Sequence, residues 1–143
     1  MAVIHRSAVV PQSPQQMYDL VYDVAAYPEF LHWCKRSKVV AEDDDSITGQ
    51  LDIEFGPIKK SFTTRNRVKP GEAMTIELVD GPFSHMQGEW RFKPLPNGKT
   101  RISLDLDFAF RNRLFAAVAE PAFIMMGDNM VDSFKKRAEQ VYG

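Results

Sequence analysis

The chain changes its hydrophobic period twice, and those two changes outline its architecture. Val3 to Val10 is rich in β-branched residues and stops at Pro11, where a ladder donor is lost, so it reads as a strand. Ser13, Pro14 and Gln16 then form a helix start: an N-cap, an N1 proline and a capping-box partner. Met17, Leu20, Val21 and Val24 follow as one apolar stripe. Tyr27-Pro28-Glu29-Phe30-Leu31 restarts the chain in a second short helix or turn, with Pro28 suited to a first helical position.

From Ser37 to Phe110 the period is two. The breaks fall at Asp43-Asp44-Asp45, Gly56-Pro57, Lys69-Pro70-Gly71, Gly81-Pro82 and Pro96-Asn97-Gly98, which leaves room for six strands. Ile47, Leu51, Ile53 and Phe55 share one face, as do Ile102, Leu104, Leu106, Phe108 and Phe110, while Asp52, Glu54, Ser103, Asp105 and Asp107 point the other way. Breaks this short require an antiparallel meander, because parallel strands need long crossovers. After Phe110 a helical stripe runs through Phe115, Val118, Ala122, Met126, Met130, Phe134, Ala138 and Val141, with a bend expected near Pro121.

The result is an α+β domain in the order β-α-α-β6-α. Its sheet, of about seven strands, must wrap around the terminal helix, the only element long enough to cover its apolar face. That face carries Phe62, Met74, Ile76, Leu78, Met86, Trp90 and Phe92. It also carries Thr64, Asn66 and Gly88, which fill a core poorly, so a cavity is expected.

Composition narrows the function. At 143 residues the chain fits one domain, 1–143, and its 44% hydrophobic and 26% charged residues are ordinary for a globular protein. Eighteen basic against nineteen acidic residues give a net charge of -1, so no global field draws it to DNA or anionic lipid. A single cysteine, Cys34, and a start without an apolar signal core place it in the cytoplasm, with a peripheral position at the inner membrane as a variant. Leu114 to Met126 is interrupted by Glu120 and Pro121 and is too short to span a bilayer. It is nevertheless apolar nearly all round, and the excess face suits a lipid mouth, a transient membrane-surface contact or a second subunit.

Several blocks in order resemble a known family. Asp23-Val24-Ala25-Ala26-Tyr27-Pro28-Glu29-Phe30-Leu31-His32-Trp33-Cys34 is similar to the Asp-Val-x-x-Tyr-Pro-x-Phe-Leu-Pro-x-Cys run of the coenzyme Q-binding and RatA ribosome-association toxin proteins. Phe62-Thr63-Thr64-Arg65-Asn66, Leu78 to Phe83, Trp90-Arg91-Phe92 and Asn129 through Tyr142 look similar too. His32 stands where the family has proline. These proteins belong to the START, Bet v 1-like helix-grip superfamily that also includes polyketide cyclases. The resemblance implies a helix-grip fold and a cavity for ubiquinone or another isoprenoid lipid, serving respiration or quinone biosynthesis. It equally implies a toxin that binds the large ribosomal subunit and blocks subunit association.

On the quinone reading, Thr64 and Asn66 address the head group. Phe62, Leu78, Trp90, Val118, Met126, Met130 and Phe134 surround the tail, with Phe30, Trp33, Phe83, Met86 and Phe108 completing the ligand site. On the ribosome reading, Lys59, Lys60, Arg65 and Arg67 form the contact patch, although the outer strands interleave opposite charges. No catalytic residue, metal ligand or required cofactor is expected. Cys34 and His32 are too close along a helix to face each other, and His5, His32 and His85 lie far apart. The Glu42 to Asp45 run lacks the glycine and later glutamate of a calcium loop.

Overall fold

The structure is a computed structural model that describes residues 2–143. Strand β1 (Ala2–Val10) leads into helix α1 (Pro14–Tyr22) and a 3-10 turn (Val24–Glu29). The strands β2 (Cys34–Glu42), β3 (Ser46–Phe55), β4 (Ile58–Lys69), β5 (Ala73–Asp80), β6 (Phe83–Pro94) and β7 (Thr100–Phe110) follow, and helix α2 (Arg113–Tyr142) closes the chain. The sheet is antiparallel throughout, in the order β1-β7-β6-β5-β4-β3-β2. It curves around α2 as a helix-grip fold, and register shifts that leave an extra residue in β2, β5 and β6 supply local bends.

Local signals explain the boundaries. Ser13 Oγ accepts from Gln16 N at 3.1 Å and Gln16 Oε1 accepts from Ser13 N at 2.9 Å, so the capping box forms as expected. The second helix differs from its expected start: the turn begins at Val24, and Pro28 lies near its end. The bonds holding that elbow run from Ala26 N–H to Asp23 O and from Leu31 N–H to Tyr27 O, and neither needs a donor from Pro28.

Helix α2 starts at Asn112, whose Oδ1 accepts from Leu114 N and Phe115 N at 2.9 and 3.0 Å. It continues unbroken through Pro121 and Gly127, so the expected bend does not divide it. By length and composition α2 could cross a membrane, contrary to the expectation from its first half alone. Its inner face, however, packs onto the sheet through Ala119, Phe123, Met126, Val131, Phe134 and Ala138.

Two apolar clusters fill the grip. One gathers α1, the elbow and the C-terminal half of α2 around Met17, Leu31, Trp90, Phe92 and Phe134. The other is an aromatic nest around Phe83, Phe108, Phe110 and Phe123 beneath the N-terminal half of α2. Trp33, Leu51 and Ile76 pack against both clusters.

Candidate functional site

A cavity of about 100 Å³, partly open to the surface, lies where those clusters meet. Its sheet wall comes from Leu51 and Ile53 on β3, Phe62, Thr64 and Asn66 on β4, Ile76 on β5, Met86 and Trp90 on β6, and Leu104, Leu106 and Phe108 on β7. Phe123, Met126, Gly127 and Met130 of α2 form its roof, and Tyr27 and Trp33 close it from the elbow. The period-two pattern places the sheet residues here: alternate residues point inward along each strand, and cross-strand pairs such as Trp90 with Leu104 and Met86 with Phe108 bring them together.

Of the expected ligand residues, Trp33, Phe62, Thr64, Asn66, Met86, Trp90, Phe108, Met126 and Met130 stand on the cavity wall. Five do not. Val118 is 59% exposed on the far side of α2, because the wall-forming side of that helix is taken by Phe123 and Met126. Phe83 is stacked at 4.8 Å on Phe110 inside the aromatic nest, and Leu78 packs against the same cluster. Phe134 is fully buried with its ring 5.5 Å from Tyr27 and 5.3 Å from Trp90, so it supports the wall from behind. Phe30 packs edge-to-face with Phe134 at 5.1 Å, and the Arg137 guanidinium lies over the Phe30 ring.

Leu51, Ile53, Ile76, Leu104 and Leu106 were legible as core-facing residues, but nothing in the period separates a cavity wall from solid core. Gly127 had no such signal. A Cβ there would lie 2.2 Å from Ile4 Cδ1, so the glycine lets α2 approach β1 closely. Gly88 does not open the cavity, since Leu106 covers it with Cδ1 2.8 Å from where a Cβ would stand.

The wall is apolar apart from Thr64, Asn66, the Tyr27 hydroxyl and the indole N–H groups of Trp33 and Trp90. Tyr27 donates to Val21 O, and burial, followed by Cys34 and Asp23, pushes its phenol well above the usual range. Asn66 is 9% exposed; its Nδ2 donates to Met74 Sδ at 3.6 Å while its Oδ1 has no partner. The described wall holds no carboxylate, histidine, cysteine or lysine. Cys34 lies outside it: its thiol donates to Arg36 O, and burial, then Asp52, raises it to about 11. His32 is exposed, and no group of three metal-ligating side chains occurs among the described residues.

The expected basic patch does not form one face. Lys59, Arg65 and Arg67 project outward from β4, whereas Lys60 has the opposite parity and its ammonium lies 5.0 Å over the Phe115 ring of α2. Lys59 and Arg67 each lie 3.9 Å from an acid, Glu54 and Glu77, and Arg65 Nε donates to Ser46 Oγ at 3.4 Å.

Residues 10–135 match the family model described as polyketide cyclase / dehydrase and lipid transport. The chain is 40% identical to ribosome association toxin RatA of Pseudomonas aeruginosa, over 98% of this chain and 97% of that protein. It is 33% identical to the mitochondrial coenzyme Q-binding protein COQ10 homolog B of Xenopus laevis, over 96% of this chain and 58% of that protein. Among solved structures, TTHA0849 from Thermus thermophilus superposes with a TM-score of 0.87 at 15% identity, covering 99% and 100% of the two chains. The Zhui aromatase/cyclase from Streptomyces sp. R1128 superposes at 0.81 and 17%, covering 97% and 94%. At these identities the two structures speak for the fold alone.

Proposed function

The chain belongs to the polyketide cyclase / dehydrase and lipid transport family, in the START-superfamily branch shared by RatA and coenzyme Q-binding proteins, and from that premise we propose that it binds a lipophilic small molecule in this cavity. The ligand is ubiquinone or a related isoprenoid quinone, held and delivered without chemical change by a cytoplasmic carrier or chaperone. The observation that carries this reading is the apolar hollow with its two inward polar side chains, Thr64 and Asn66. Apolar burial contributes roughly 25 cal/mol per Å², and the polar pair orients the head group. The absence of an acid and base pair from the described wall favours binding over catalysis.

About 100 Å³ is well below the several hundred Å³ typical of sites for drug-sized ligands, so the cavity takes one ring as it stands. The isoprenoid tail leaves between Trp33 of the elbow and Met130 of α2, both partly exposed, or α2 moves outward to admit it. Delivery from a bilayer has a matching surface. Leu114, Val118, Pro121 and Met125 form an exposed stripe on α2, and Arg111 and Arg113 at its head suit anionic lipid. Flotation with phosphatidylglycerol vesicles, and its loss with phosphatidylcholine, tests that contact.

Native mass spectrometry of freshly purified protein, followed by titration with short-chain ubiquinone, tests the carrier. A bound lipid and a change in tryptophan fluorescence, from Trp90 and Trp33 on the wall, that Met126→Asp abolishes are expected. No copurified lipid and an unmoved spectrum would remove the reading.

A second reading is favoured by the near-full-length 40% identity to RatA: binding to the large ribosomal subunit. The outward residues Lys59, Arg65 and Arg67 are its contacts, without Lys60. Excess protein is expected to deplete joined ribosomes in a sucrose gradient and Arg65→Glu to relieve that effect. An unchanged gradient counts against it.

A further inference from the structure

We infer that Oδ1 of Asn66 makes the cavity select a ring that carries a hydrogen-bond donor, a phenol or the hydroquinone form of a quinone, over the same ring bearing acceptors alone. The inference rests on the cavity reading above and adds the chemical state of the ligand.

Asn66 points inward from β4 among Met74, Trp90 and Ile76, a setting where leucine of similar size would pack without cost. Its amide is oriented by one contact. Nδ2 donates to Met74 Sδ at 3.6 Å, and exchanging the amide nitrogen and oxygen would set oxygen lone pairs against sulfur lone pairs and lose that bond. Oδ1 is therefore an acceptor with no donor in reach among the described residues, on a side chain that lines the hollow; it is packed too closely for a water molecule to touch, so a ligand reaches it by shifting a neighbouring wall side chain. No donor among the described residues reaches it: Tyr27 spends its hydroxyl on Val21 O, the wall's other donors are Thr64 and the indole N–H groups of Trp33 and Trp90, none of which bonds to Oδ1, and the rest is hydrocarbon or thioether. Thr64 both donates and accepts, so it does not discriminate.

A ligand O–H satisfies Oδ1. A quinone carbonyl placed there opposes oxygen to oxygen and leaves the acceptor orphaned.

Phenol and its methyl ether anisole test this without redox chemistry, and a single ring suits the cavity volume. Binding is measured on the intact protein by calorimetry and by the fluorescence of its two wall tryptophans, Trp33 and Trp90. Transfer from water favours the more apolar anisole, so an apolar hollow without Oδ1 would prefer it. We expect the reverse, phenol tighter by about ten-fold, with Asn66→Leu cancelling or inverting the preference. Should that variant fail to fold, the wild-type ratio, repeated with hydroquinone and benzoquinone, decides alone. Equal binding of both rings overturns the donor preference and leaves the cavity reading standing, whereas binding of neither overturns both.

Discussion

The two ends of the grip share one sheet and one helix, yet they are finished differently. At the C-terminal end of α2, helix α1 lies across the opening: Met17, Leu104, Phe134 and Ala138 are fully buried, and the Tyr142 hydroxyl donates to Gln16 O at 3.1 Å, tying the helices together. At the N-terminal end nothing among the described residues covers the outer side of α2. Ala119 and Phe123 face the aromatic nest, while Leu114 and Met125 on the reverse are 84% and 52% exposed. The apolar surplus of this helix half is therefore an uncovered outer face and not extra cavity lining. The cavity sits at the joint, where the sealed end supplies rigid walls and the open end supplies a helix anchored from one side only.

The contrast can be broken from the sealed side first. Phe134→Ala removes the ring that backs Tyr27, Trp90 and Phe30 and should cost about 3–5 kcal/mol in denaturant unfolding. A loss below about 1 kcal/mol would mean that this end is not the rigid one. Next are the glycines that permit close approach. A Cβ on Gly88 would lie 2.3 Å from the Asp105 carbonyl oxygen, so Gly88→Ala should cost roughly 1–3 kcal/mol, as overpacking does. Gly127→Ala meets the flexible tip of Ile4 and should cost less; the opposite ranking in thermal melts would show α2 held more tightly to β1 than the contrast requires.

Ser13→Ala deletes one half of the capping box that starts α1, with an expected loss of about 1 kcal/mol. Quinone affinity measured on the same variant sharpens the comparison, because weakening the seal should loosen the elbow at Tyr27 and Trp33. Val118→Ser should be smallest, within about 0.5 kcal/mol in the same unfolding assay. A larger loss would show that the exposed stripe is covered in solution, which an accompanying dimer in ultracentrifugation would identify.

Much of this was legible in the chain. The strands, the capping box of α1 and the inward set Phe62, Thr64, Asn66, Met86 and Trp90 follow from local chemistry and a strict alternation. Val118 and Lys60 were misplaced for related reasons. A helical stripe drawn around a helix apolar on most sides does not say which side meets the sheet, and a basic pair in sequence spans both faces of a strand. Phe134 and Phe83 were assigned to the ligand because an inward aromatic looks the same in sequence whether it lines a hollow or fills one.

By itself the sequence determined the order of elements, the antiparallel meander and the inward face of each strand, because period and turn chemistry act between near neighbours. Only the tertiary structure decided where packing stops short, which side of α2 stays bare, and that the Asn66 carbonyl is left without a donor. Those outcomes depend on distances between residues far apart in the chain, set when the sheet curves and the helix settles on it.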